Sequence, residues 1–242
     1  METRPHTNFP DPKIPRVSTK SMFNSVLAIL NLERGIFYTS WEMIKSPGQA
    51  MNRYLFEDRS QFIDPLKLLV LTIPIYLFLM INVFPEASFF TGMEEGFNNN
   101  SEGDSLSEKS AQFKLFIEYL KRYSNFLLLL TVPISAIWTY WLFKSYRLNY
   151  GEHLVLNAYL YGFLTLVSII LAPLNFISVT FTGYFLMILS FLYQAYFIQS
   201  FFRKSWLKST LYSILLLALS FFSSFVGLLV LVVIVVGFML AG

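Results

Sequence analysis

Apolar positions along this chain fall into two regimes that meet at Asp64-Pro65. Before that point they recur at helical spacing among charged and polar residues. After it they gather in runs of about 20, the length that crosses roughly 30 Å of hydrocarbon. Residues 1–19 hold Pro10, Pro12 and Pro15 and read as an extended polar arm. From Lys20 to Leu32, the residues Met22, Phe23, Val26, Leu27 and Leu30 predict an amphipathic helix. A second starts near Glu33 and carries Ile36, Phe37, Trp41 and Ile44 on one side. Ser46-Pro47 has the form of an N-cap followed by proline at the first helical position, opening a third short helix through Leu55. These helices are too short and too charged to span. Their aromatic and basic content suits the headgroup layer; the other reading is a cytosolic cap packed on the membrane domain, and the two are compatible.

Beyond Pro65 five spans are predicted: Leu66 to Phe84 with Pro74 bending it, Asn125 to Phe143, Leu154 to Leu171, Phe176 to about Phe197, and a long run from Ser209 to the end. The fifth, at about 30 residues, implies tilt, a kink or an overhang. Only Ala172-Pro173-Leu174-Asn175 joins the third and fourth, so a tight antiparallel hairpin is expected. The stretch between the first two spans, TGMEEGFNNNSEGDSLSEKS, is acidic and rich in Asn, Ser and Gly, and reads as a mobile loop. After it, Phe113, Phe116, Ile117 and Leu120 form an amphipathic lead-in to the second span. The expected architecture is an all-α integral membrane helical bundle of about five transmembrane helices with short N-terminal amphipathic cytosolic helices. It divides into the arm 1–19, the helices 20–64, and a membrane domain 65–242 with an extracytoplasmic loop over 85–124.

Charge sets the orientation. With the N-terminus inside, fourteen Lys and Arg fall on inner segments and four on the outer loop, which also holds seven acids. The positive-inside bias therefore predicts a plasma (inner) membrane protein with its N-terminus cytoplasmic and its C-terminus outside.

Composition removes several functions. Hydrophobic residues make up 55% and charged ones 14%, too apolar for a soluble core. Cysteine is absent and there are two histidines, so no disulfide framework, thiolate metal site or cysteine nucleophile is expected, and neither is any metal or cofactor. No Asp, Glu, Lys or Arg lies deep in a span, which disfavours ion-coupled transport. What the spans hold is neutral polarity, including Tyr76, Asn82, Thr139, Asn157, Tyr159, Tyr161, Thr165, Tyr184, Tyr193, Gln194 and Gln199. Inter-helix hydrogen bonds account for most of these, and a minority suit a polar path.

Two stretches carry a resemblance. One is Gly35-Ile-Phe-Tyr-Thr, then Ser46-Pro47-Gly48, Arg53-Tyr54-Leu55 and Phe62-Ile63-Asp64-Pro65. The other is Tyr150-Gly-Glu152-His153-Leu-Val. Together, over roughly residues 33 to 170, they resemble a bacterial family of multi-pass membrane proteins of unknown function. Many members carry an N-terminal Cys-rich zinc ribbon that this chain lacks. The resemblance implies a membrane architecture and supplies no reaction.

Glu152 and His153 also invite comparison with an intramembrane metalloprotease. Such a site needs further carboxylates and a second histidine, and the only other one is His6 in the arm. The preferred reading is that Glu152 caps its helix, favoured by the helix dipole, with His153 in the headgroup layer. In the last span Ser220, Ser223, Ser224 and Gly227 form overlapping small-xxx-small pairs, suited to packing within the bundle, to an oligomer contact or to a pore face. Arg34, Lys45, Arg53, Arg59 and Lys67 lie on the cytosolic approach. They serve the positive-inside bias and anionic lipid headgroups, or else an anionic nucleotide or oligonucleotide ligand. The leading expectation is a non-enzymatic, oligomeric channel or pore gated by a cytosolic regulatory protein or such a ligand, a design that suits a bacterial stress or anti-phage effector. The alternative is a non-conducting membrane scaffold or accessory subunit, and the remote one an intramembrane enzyme.

Overall fold

A computed structural model describes residues 35–99 and 106–241. The arm, the helix predicted over Lys20–Leu32 and Arg34 lie outside the described residues. All regular structure among the described residues is helical: α1 (Ile36–Lys45), α2 (Pro47–Phe56), α3 (Pro65–Phe78), α4 (Phe89–Asn99), α5 (Leu106–Leu142), α6 (Tyr150–Leu171), α7 (Val179–Phe202) and α8 (Trp206–Ala241), with short 3-10 and π turns between them. Five segments have the length and hydropathy of a membrane span: Pro65–Val83, Phe113–Leu142, Tyr150–Phe176, Val179–Phe202 and Trp206–Ser223. The chain is an all-α, multi-pass membrane bundle.

The boundary at Asp64-Pro65 is where the chain enters the bundle. The Asp64 carboxylate accepts from the Leu66 and Lys67 amides at 2.9 and 3.4 Å, while Pro65, which has no amide hydrogen to leave unpaired, sits at the first helical position. From there α3 runs against α6, the hub of the bundle, which also packs on α5. At the crossing with α3 a Cβ on Gly162 would stand 2.8 Å from Leu68 Cγ, so only glycine lets the two helices meet without displacing that side chain.

Several boundaries differ from those read in the sequence. The lead-in and the second span are one helix of 37 residues, because nothing breaks it between Leu106 and Pro133. The stretch expected as a mobile loop is helical at both of its described ends. Residues 89–99 form α4, laid on α5 by Phe90 against Ile117 and Leu120, by Phe97 stacked on Phe113 at 4.1 Å, and by Glu94–Lys121 at 3.0 Å. The apolar lead-in residues supply the surface that orders it. The last span is an unbroken helix of 36 residues, about 54 Å at 1.5 Å per residue. The α6–α7 hairpin has its short turn at Ala172–Phe176 but is not tight along its length. The two helices touch at Phe163 and Tyr193, with ring centroids 4.8 Å apart, and part around a cavity of about 530 Å³.

Candidate functional site

Pro47 breaks the chain between α1 and α2, and the break exposes backbone groups. The last carbonyls of α1 and the first amides of α2 have no helical partner. Ser46 does not supply the cap that its position predicts. It serves α1 as C-cap, its amide donating to Glu42 O at 2.9 Å, and its side chain makes no capping hydrogen bond to α2. One face of α7 provides the partners instead. Ser200 Oγ accepts from the Gly48 amide at 3.0 Å, and the Tyr193 and Tyr196 hydroxyls donate to the carbonyls of Met43 and Lys45 at 3.0 and 3.2 Å. Residues 193, 196 and 200 lie at i, i+3 and i+7 and so share one helical face. Gly48 is fixed by this contact: a Cβ there would fall 2.3 Å from the Ser200 backbone.

The segment after α2 closes the same seat. The Tyr159 hydroxyl of α6 donates to Ile63 O, and the Ile63 amide donates to Thr39 Oγ1 at 3.0 Å. Gly35, at φ 118°, lies against this strand of backbone, where a Cβ would come within 2.6 Å of the Ile63 nitrogen. Tyr54 packs edge-on to Phe62 and to Tyr159, at 5.8 and 5.0 Å. Burial pushes the Tyr54 hydroxyl's pKa up, helped by the Asp64 carboxylate, and the phenol stays protonated. Seven of the ten α2 residues are buried. The residues of the first family-like motif, Pro47, Gly48, Tyr54, Asp64 and Pro65 among them, therefore form one knot seated on α6 and α7.

The outer face of α1 is the converse. Thr39 and Met43 point inward, while Phe37, Trp41 and Ile44 are 93, 64 and 59% exposed. Of the apolar stripe read in the sequence, Phe37, Trp41 and Ile44 turn away from the protein, while Ile36 packs against the core.

The basic flank does not converge. Arg53 is held by Glu42 at 3.3 Å and donates to the Tyr38 hydroxyl. Arg59 Nε donates to Tyr54 O at 3.0 Å, and its guanidinium lies over the Tyr54 ring at 5.5 Å. Lys45 is exposed at the end of α1, and Lys67 is half-buried on α3. Two of the four described cations are thus internal fasteners of the cap.

Glu152 and Asn149 form a reciprocal capping box, with Asn149 Oδ1 accepting from Glu152 N at 2.9 Å and Glu152 Oε2 from Asn149 N at 2.7 Å. His153 is not on the protein surface, where headgroups would meet it. It is fully buried, edge-on to Tyr140 at 5.7 Å and stacked on Phe202 at 6.4 Å, and neither ring nitrogen has a hydrogen-bond partner among the described residues. Because α6 starts four residues earlier than predicted, His153 lies inside the bundle. Among the described residues no three His, Cys, Asp or Glu side chains gather where they could hold a metal.

Ser220 and Ser223 face α5. Ser220 Oγ is 3.4 Å from Ser135 Oγ, and the Trp138 indole donates to Ser223 Oγ at 2.8 Å. Gly227 is exposed, with no atom within 4 Å of where a Cβ would stand. The Ser224 side chain lies outside the described residues. The tyrosines and the serine of α7 that complete the cap's seat were not singled out as a set in the sequence. Their only signal is polar spacing along an otherwise apolar span.

A family described as "Protein of unknown function (DUF3667)" matches the chain over residues 33–79, the stretch that holds the cap, its knot and the start of α3. No curated protein and no solved structure matches the chain. What part of the chain is similar to is therefore a family of unknown function, and the similarity falls on the cap and the start of α3.

Proposed function

We propose that this is a non-enzymatic protein of the bacterial plasma membrane, cytoplasmic at its N-terminus, that assembles into a gated pore with α1 and α2 as its receiving element. One observation carries the reading. The cap is bonded directly to α6 and α7, the two helices that part around the cavity, so any force that shifts the cap acts on the helices whose separation sets the open space. The excess of Lys and Arg on the inner segments supports the orientation. The outward stripe of Phe37, Trp41 and Ile44 supports a cap that rests in the bilayer interface beside its seat. The open face at Gly227 leaves room for a second copy to approach α8.

The internal use of Arg53 and Arg59 favours a protein partner that pulls the cap from its seat over an anionic ligand that bridges the flank. The test is dye release from liposomes holding the purified protein. Wild type is expected to leak slowly and Gly48→Ala, which loosens the seat, to leak faster with the oligomer intact. Silent bilayers from both proteins, with a monomer in mild detergent, overturn the pore and support the non-conducting scaffold.

A further inference from the structure

The cavity between α6 and α7 has the features of a binding site. At about 530 Å³ it falls in the roughly 300–1,000 Å³ range of small-molecule sites. Its wall carries no charged residue, which excludes an ion or a charged headgroup as occupant. Most of its polar atoms are already engaged: Thr165 and Ser168 hydroxyls donate to the carbonyls one turn back, and the Tyr161 hydroxyl bonds Ser135 at 2.8 Å.

Gln194, like Tyr76 and Ser190, has no such partner among the described residues, and it is the one carboxamide in the wall. It is 8% exposed, its carboxamide meets no hydrogen-bond partner among the described residues, and it stands in the wall of the cavity. On its other side is a void of about 20 Å³, room for one water, bounded also by Asn157 and Thr139. A buried amide at membrane depth costs free energy unless something pairs with it. The direction of entry is also set by the structure. Met187, Ile188 and Leu217 line the cavity, are 62, 54 and 46% exposed, and belong to two segments with the length and hydropathy of membrane spans, so an opening between them lies where lipid would be.

We infer that this cavity binds an uncharged, single-chain amphiphile drawn from the bilayer, whose hydroxyl or carbonyl head pairs with the Gln194 carboxamide while its chain lies along Leu128, Leu164 and Leu217. An amide both donates and accepts, so either head chemistry fits. A carboxylate does not, because no cation is present to meet it.

The test uses the full chain in phosphatidylethanolamine/phosphatidylglycerol vesicles, with a diazirine- and alkyne-bearing hexadecanol as the probe and the matching fatty acid as the charged control. Photolabelling read by mass spectrometry is expected on peptides spanning Leu164–Ser168 and Met187–Gln194, and excess unlabelled hexadecanol displaces it. Gln194→Leu keeps the volume and removes one neutral hydrogen bond. It should lower cavity labelling about 2–10-fold while label on the outward residues Phe181 and Tyr184 is unchanged. Ser190→Trp, which fills the cavity, should abolish displaceable labelling. Label confined to the outer surface, or insensitive to competitor and to both variants, overturns the site. Equal labelling by the fatty acid overturns the neutral class. The wild-type labelling pattern decides the matter even where a variant does not fold, and binding is read whether or not the protein conducts.

Discussion

The end of the bundle that carries the cap and the bundle's middle share the helices α6 and α7 and similar apolar residues, yet they pack differently. At the cap end, Pro47 and the turn before Pro65 interrupt the helices and leave carbonyls and amides without partners. Tyr159, Tyr193, Tyr196 and Ser200 satisfy them across distances of 96 to 152 residues in sequence. In the middle neither α6 nor α7 contains a proline, so their backbone groups pair within each helix, nothing requires the two to touch, and they part around a cavity. Apolar surface alone cannot pull helices together in lipid, whose tails are as apolar as leucine. Broken backbone can, because an unpaired group in hydrocarbon has nowhere else to turn.

The largest expected effect tests the seat sterically. Gly48→Leu drives a side chain into the Ser200 backbone and should cost about 3 kcal/mol or more, seen as a lost or sharply lowered unfolding transition in detergent. Gly183→Leu on the same α7, where no atom lies within 4 Å of a Cβ, should stay within about 0.5 kcal/mol. Equal losses in the two would erase the distinction between the two regions. Tyr159→Phe removes one hydroxyl and leaves the Ile63 carbonyl buried and unpaired. About 1–3 kcal/mol is expected in chemical unfolding, with the aromatic contact to Tyr54 retained.

A smaller loss, about 1 kcal/mol, should follow Asn149→Ala at the start of α6, whereas Glu152→Gln, which keeps a residue able to complete the capping box, should change little. A large loss from Glu152→Gln would mean that its charge serves something other than the helix end. The smallest effect belongs to the membrane interior. Trp138→Phe breaks the bond to Ser223 and should cost about 0.6 kcal/mol, measured by the same unfolding assay.

How much was legible in the chain follows from which forces are local. Five spans, the entry at Asp64-Pro65 and the proline-led start of α2 are written in consecutive residues, and the structure has them. The capping role of Glu152 is also local, since Asn149 and Glu152 are three residues apart. The burial of His153 in protein was not foreseen, because the start of α6 lay four residues earlier than apolarity alone suggested. The order of α4 was missed because its surface is built on Ile117 and Leu120, across a gap that composition describes only as polar. Ser46 holds the N-cap position that the sequence assigns it, but its side chain makes no capping bond, and a serine from α7 meets the Gly48 amide instead. Ile36, Phe37, Trp41 and Ile44 were grouped on one face, but Ile36 packs against the core while the other three turn outward, since periodicity does not say whether a face turns inward or out.

The sequence by itself determined that this chain lives in lipid, how many times its helices can cross, and where they begin, because hydropathy, proline and capping act over a few neighbouring residues. Only the tertiary structure decided which broken backbone groups meet which hydroxyls, which arginines are tied up inside the cap, and that Gln194 is left facing a cavity. Those outcomes depend on residues far apart in the chain arriving at one place, and no local pattern records that meeting.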